Sequence, residues 1–239
     1  MDVLILATDY DGTLADDGVV SSSAIQAVEE LKRSGRSVVL VTGRELPQLL
    51  EIFDRTDLFD WIVAENGSLI YRPADGEKRV LAEAPPEEFV KELKRRGVGP
   101  ISIGDAIVAT WRPYEDIVME VIRDLGLDRE IVFNKDAVMI LPSGVNKATG
   151  MDVVLEEMGQ SWNSVVGVGD AENDLAFLSR CQHSVAVANA LDSLKREVDF
   201  TTAGSRGQGV IELIEEILQD DLGSRSSHIV ERFGRRFSS

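Results

Sequence analysis

The sequence predicts an α/β protein, a parallel β-sheet covered by helices on both faces and interrupted by a small inserted α+β unit. Three observations carry this reading. Short, wholly apolar segments alternate with helical patterns near both ends of the chain, as in a parallel sheet buried on both faces. The middle of the chain has a different texture, with turn signals and short strands. The chain's 239 residues, 44% of them hydrophobic, suffice for one large domain or two modest ones with a sizeable core.

Residues 3–8 form the first buried strand of this reading. "SSSAIQAVEELKRSG" follows as a helix: the serines at 21–23 offer an N-cap, Ile25, Val28 and Leu31 share a face, and Gly35 ends it. "SVVLVT" (37–42) is a second strand, followed by about two helical turns near 46–54 and a strand at 60–64. Asn66-Gly67 and Asp75-Gly76 then signal turns between short strands. Residues 84–142 read helix–strand–strand twice, an α+β unit set into the sheet. From 146 the first texture returns: a helix (146–159), a strand (164–169), a helix in "AENDLAFLSR", a strand in "SVAVA" and an amphipathic helix at 209–219. The expected division is a core from 1–83 and 143–221, a cap at 84–142, and a tail at 222–239. That tail carries four arginines against one glutamate, and reads as a frayed end or a lead into a further domain.

Charge narrows the function. Forty-two acidic residues against 25 basic give a net charge of −17, which argues against nucleic-acid or anionic-membrane partners. The single cysteine, Cys181, cannot form an internal disulfide and reads as a small buried apolar residue. With no basic leader and no membrane-length apolar run, a cytoplasmic protein is expected.

Against that background, "LILATDYDGTLADDG" stands out. Asp9 and Asp11 end a buried strand with one residue between them, so their side chains share one side of the segment. Ligands of open parallel sheets gather at the carboxyl ends of the strands, where these residues fall. Two adjacent carboxylates split their pKa values or demand a cation. Gly12 and the hydroxyl of Thr13 follow. "GVGDAENDLAFL" repeats the theme, with Asp170 and Asp174 four apart at a helix start, where an oxygen-ligand set for Mg²⁺ is one reading and an acidic first turn the other. The same stretch lacks the third glycine of a dinucleotide motif, which counts against an oxidoreductase. Thr42 and Gly43 end the second strand with a hydroxyl and a free N–H suited to a phosphoryl oxygen. Lys147 opens a helix, where the dipole disfavours a cation, so an anionic partner is expected.

In this order, D-x-D-G-T, strand-end T-G-R, a lysine before a helix and G-D-x-x-N-D, the chain resembles the haloacid dehalogenase (HAD) superfamily of phosphatases from residue 3 to about 219. The cap lies between the threonine and lysine motifs and resembles the C2 type of Cof-like and sugar-phosphate phosphatases. Its brevity looks most like the archaeal phosphoglycolate phosphatases. The resemblance implies a Rossmann-like core sheet and a Mg²⁺-dependent phosphatase acting on a small phosphorylated metabolite. It implies that Asp9 is the nucleophile and Asp11 the acid and base. Mg²⁺ would lie among Asp9, the Asp11 carbonyl and Asp170, with Asp174 in or just behind the shell. Thr42, Gly43 and Lys147 would hold phosphoryl oxygens, Arg44 and Asn173 reach the phosphate or leaving group, and Asn189 line the site. Trp111, Arg112, Asn134 and Lys135 are the cap residues expected over the leaving group. Two alternatives are a sugar phosphomutase using the same aspartate pair and a catalytic or regulatory module of a longer protein.

Overall fold

A computed structural model of the chain describes residues 3–223. The tail segment 224–239 lies outside the described residues. The core sheet grows outward from its first strand. β1 (Ile5–Thr8) is buried at every position and pairs in parallel with β2 (Ser37–Val41) on one side. On the other side it pairs in parallel with β10 (Val165–Gly169). The order runs β12-β11-β10-β1-β2-β3-β4-β5, with β3 (Trp61–Ala64), β11 (His183–Ala186) and β12 (Phe200–Thr201) parallel. β4 (Leu69–Arg72) and β5 (Glu77–Val80) are antiparallel, so the hairpin signalled by Asp75-Gly76 extends the core sheet. Successive strands are added on one side of β1 (β2, β3) and then on the other (β10, β11, β12), and this switch of side opens a crevice at the carboxyl ends of β1 and β10.

Helices cover this sheet for local reasons. α1 (Ser22–Arg33) is capped by Ser21, whose side chain accepts from the Ala24 N–H at 3.2 Å, a contact of about 1 kcal/mol. Val28 and Leu31 are buried on its inner face, with Ile25 packed beside them. α2 (Leu46–Ile52) begins with proline in its first turn. α5 (Lys147–Met158) has a reciprocal capping box between Asn146 and Thr149. α7 (Asp192–Glu197) and α8 (Gly207–Asp220) complete the cover. One expectation needs correction. "AENDLAFLSR" is not one helix but a 3-10 turn at Glu172–Asp174 followed by the single-turn α6 (Leu175–Leu178).

A second, four-stranded antiparallel sheet forms the cap, in the order β6-β7-β9-β8. Its parts are α3 (Glu87–Arg95), β6 (Ser102–Ile103), β7 (Val108–Trp111), α4 (Glu115–Asp124), β8 (Arg129–Asn134) and β9 (Ala137–Pro142), the doubled helix–strand–strand pattern. Strand alternation sorts the two faces. Val138 and Ile140 of β9 pack with Phe89, Leu93, Val118 and Val121 of the helices. Met139 and Leu141 join Ile107 on the opposite face. Among the described residues, no helix is long and apolar enough to cross a membrane.

Candidate active site

Asp9 leaves β1 at its carboxyl end, with its N–H donating to the Val168 carbonyl of β10 at 3.0 Å. Asp170 leaves β10 at the same level. Asp174 reaches this point by folding back. Its Oδ2 accepts from the N–H groups of Asp170 and Ala171, at 2.8 and 3.0 Å. Satisfying both donors produces the tight 3-10 turn in place of the expected helix start, so Asp170 and Asp174 do not share a helical face. Gly169 makes room, since a Cβ there would sit 2.6 Å from the Asp174 carboxyl.

Asp9, Asp170 and Asp174 are all buried, and each offers an oxygen within 4.8 Å of the others. Lys147 joins them across the sheet. Its Nζ donates to Asp9 Oδ1 and to Asp174 Oδ1, both at 2.6 Å, and its side chain is wholly buried. A lysine at a helix N-terminus loses roughly 0.3–1 kcal/mol to the dipole. Two charge-assisted hydrogen bonds contribute about 1.5–3 kcal/mol each and decide the matter. Burial would depress this ammonium, but Asp174 and Asp9 together hold it above its ordinary range. Burial and the Asp174 carboxylate push Asp9 well above the usual carboxylate range, against the pull of Lys147. Burial likewise raises Asp170, partly offset by Lys135.

Three buried carboxylates thus face one wholly buried ammonium. Lys135 Nζ donates to Asp170 Oδ2 at 2.6 Å, but its side chain is 45% exposed. Thr13 Oγ1 donates weakly to Asp170 Oδ1 at 3.4 Å. The donor set is hard oxygen and its residual charge is negative, which fits a divalent cation.

The other predicted residues divide. Asp11 faces the same cleft as Asp9 but is taken by Arg44, whose Nε and Nη2 fork onto its two oxygens at 2.6 Å each. That hydrogen bonding raises the Arg44 pKa. Burial, with Asp11 beside it, pushes the Tyr10 phenol up to about 12. Arg44 is therefore engaged by the carboxylate, not open to a phosphoryl group. Thr42 is fully buried after β2, and its Oγ1 accepts from the Arg44 N–H at 3.1 Å. Gly43 lines the cleft beneath the cap, where a Cβ would come within 3.2 Å of Met139 Sδ. Asn173 is buried behind it, donating from Nδ2 to Asn66 Oδ1 at 3.0 Å. The remaining amide atoms, Asn173 Oδ1 and Asn66 Nδ2, have no hydrogen-bond partner among the described residues.

Asn189 is exposed and braces the loop after β1 from outside, donating to the Gly12 carbonyl at 2.8 Å and accepting from the Arg206 N–H at 2.7 Å. Of the cap candidates, Trp111, Asn134 and Lys135 line a cleft of about 700 Å³ between cap and core. Arg112 does not. Its guanidinium stacks on Phe133 at 4.5 Å and pairs with Glu115 at 2.8 Å. Lys135 reaches from the cap across the cleft to Asp170. Three residues escaped the sequence reading: Arg206, which lines the cleft from a left-handed position (φ 51°), and the buried Glu65 and Asn66. "ENG" shows in sequence only as an Asn-Gly turn, which hides both side chains.

Fold and site together define a capped α/β protein with a cation-ready carboxylate cluster at its sheet crevice. The haloacid dehalogenase-like hydrolase family profile matches residues 6–108 and 107–214. Phosphoglycolate phosphatase of Methanothermobacter thermautotrophicus is 30% identical over 220 residues, covering 89% of this chain and 98% of that protein. The 5-amino-6-(5-phospho-D-ribitylamino)uracil phosphatase YcsE of Bacillus subtilis is 26% identical, covering 90% and 95%. The solved structure of the HAD subclass IIB sugar phosphatase BT4131 superposes with a TM-score of 0.74 at 20% identity, covering 89% of this chain and 98% of that one. This chain belongs to the haloacid dehalogenase-like hydrolases, and its fold is that of subclass IIB.

Proposed function

We propose that the chain is a Mg²⁺-dependent phosphomonoester hydrolase acting on a small phosphorylated metabolite, with Asp9 as the covalent nucleophile. It is a phosphatase of the haloacid dehalogenase type. The observation that carries this reading is the buried Asp9 carboxylate, which faces the capped cleft with Lys147, Asp170 and Asp174 gathered on it. Asp9, the Asp11 carbonyl and Asp170 would hold Mg²⁺, with Asp174 beside them. Bound there, Mg²⁺ supplies charge neutralisation between an anionic nucleophile and an anionic phosphoryl group.

Asp9 attacks phosphorus in line and the phosphorus–alkoxide bond breaks, giving an aspartyl-phosphate and the alcohol. Asp11 gives the leaving oxygen its proton, then takes one from the water that releases inorganic phosphate and restores Asp9. Arg44 covers both Asp11 oxygens here, so Asp11 acts once Arg44 turns to the incoming phosphoryl group. Lys147, Thr42 and the Gly43 N–H position the phosphoryl oxygens, the main protein contribution in such transfers. Phosphoglycolate and sugar phosphates are the substrate classes that the relatives' names support.

A panel of phosphorylated metabolites, scored by kcat/KM with Mg²⁺, tests the proposal. The expected result is inorganic phosphate release that stops on chelation. Absence of release from every phosphomonoester refutes it, and isomerisation of a hexose 1-phosphate without release would mark a mutase instead.

A further inference from the structure

The turn after β3 is unusual. Glu65, Asn66 and Gly67 all have positive φ, at 48°, 57° and 106°, and all three are buried. Non-glycine residues hold such conformations only where the surroundings over-determine them, and here they do. The Glu65 N–H donates to the Arg44 carbonyl at 2.9 Å and the Asn66 N–H to the Thr42 carbonyl at 3.0 Å. Asn66 Oδ1 holds Asn173. Gly67 lies so close to the start of α5 that a Cβ would fall 1.8 Å from the Asn146 carbonyl oxygen, next to Lys147. One turn thus touches Thr42, Asn173 and the backbone just before Lys147.

Its first side chain points the other way, into the cap. Glu65 is fully buried, with Oε1 accepting from the Asp105 N–H at 2.9 Å. Oε2 accepts from the N–H groups of Ala106 and Ile107, at 2.9 and 3.2 Å. The loop is shaped for this contact, since a Cβ on Gly104 would meet Oε1 at 2.5 Å. Ile107, the last donor, also lines the cleft. Other ties between core and cap leave one partner or both open to solvent. Lys78–Asp105 pairs side chains 42% and 32% exposed, and Lys135, 45% exposed, pairs with the buried Asp170, so solvent screens both. A carboxylate removed from water and satisfied by three N–H groups is the stronger hold.

We infer that Glu65 is a latch: its carboxylate seats cap loop 104–107 over the cleft and, through the turn it begins, keeps Thr42, Lys147 and Asn173 in register. Glu65 touches no reacting atom and is a positioning residue. The kinetic part rests on the proposed phosphatase function.

Three variants test it: Glu65→Gln, Glu65→Ala and Gly104→Ala, the last acting from the cap side alone. Two measurements are made on the full chain. Hydrogen exchange compares the amides of 105–107 with those of Ile5–Thr8. Steady-state kinetics use p-nitrophenyl phosphate with Mg²⁺, well below the melting temperature of each variant. We expect exchange at 105–107 to rise about tenfold in Glu65→Gln, which keeps part of the acceptor set, and more in Glu65→Ala, while Ile5–Thr8 is unmoved. KM should rise about tenfold in Glu65→Gln, further in Glu65→Ala, and ahead of any loss in kcat. Gly104→Ala should reproduce both effects. Unchanged exchange at 105–107 in the folded variants overturns the latch, as does raised exchange with unaltered kcat/KM. A wild-type chain that releases no phosphate would refute the proposed function, and the exchange comparison would then decide the latch alone.

Discussion

Replacing Lys147 with methionine keeps a long unbranched side chain but deletes the ammonium between Asp9 and Asp174. Both hydrogen bonds are 2.6 Å long and all three side chains are buried, so the carboxylates are left with no counter-charge and little water. Breaking a buried pair from one side costs about 3–5 kcal/mol, and relief of the helix-dipole penalty returns less than about 1 kcal/mol. At roughly 2–4 °C per kcal/mol for a chain of this size, the net loss of about 2–5 kcal/mol should make the metal-free variant melt about 4–20 °C below wild type near pH 7. The sign with pH follows from Asp9. Burial and Asp174 already raise its folded-state pKa above the ordinary 3.8, and losing Lys147 raises it further. A carboxyl raised on folding favours the native state at low pH and loses that advantage as pH climbs through the raised value. The deficit should therefore be wider in a mildly alkaline buffer than in a mildly acidic one, and shrink when Mg²⁺ is added. Calorimetric melts in a chelating buffer at the two pH values measure it. A deficit below about 1 kcal/mol, or one equal at both pH values, would refute the claim that Lys147 neutralises this cluster.

Two further outcomes follow from the same geometry. The rise in melting temperature on adding Mg²⁺ should grow with pH, because Asp9 and Asp170, both raised by burial, must be ionised to bind it; at a hundred times Kd the gain is about 2.7 kcal/mol, and a gain that falls with pH would remove these residues from the ligand set. Asp11→Asn should cost about 10²–10⁴ in kcat with an alkyl phosphate but far less with p-nitrophenyl phosphate, whose leaving group needs no proton; equal losses on both would deny Asp11 the acid role.

Much of this was legible in the sequence because it rests on local chemistry. Strands buried on both faces must be continuously apolar, as Ile5–Ala7, Val38–Val41 and Val165–Val168 are. Carboxylates at the ends of such strands are costly without a function, which singled out Asp9 and Asp170. The expected anionic partner of Lys147 proved to be two, Asp9 and Asp174. What stayed hidden depends on where side chains meet far apart in sequence. Arg44 and Asp11 are 33 residues apart, and nothing local says that they fork together. Lys135 comes from a cap turn with φ of 53° yet reaches Asp170. Glu65 binds backbone N–H groups about 40 residues away, and backbone donors leave no mark in sequence. The helix expected after Asp170 failed because one side chain, Asp174, outcompeted helical bonding for two N–H groups.

The central claim is that Asp9 takes up phosphorus. Rapid acid quenching during turnover with Mg²⁺, followed by mass spectrometry of the peptide containing Asp9, tests it most directly. One added phosphoryl group on Asp9, absent without Mg²⁺ and absent in Asp9→Asn, is the predicted result. Steady phosphate release with that peptide unmodified, or retained by Asp9→Asn, would contradict the account.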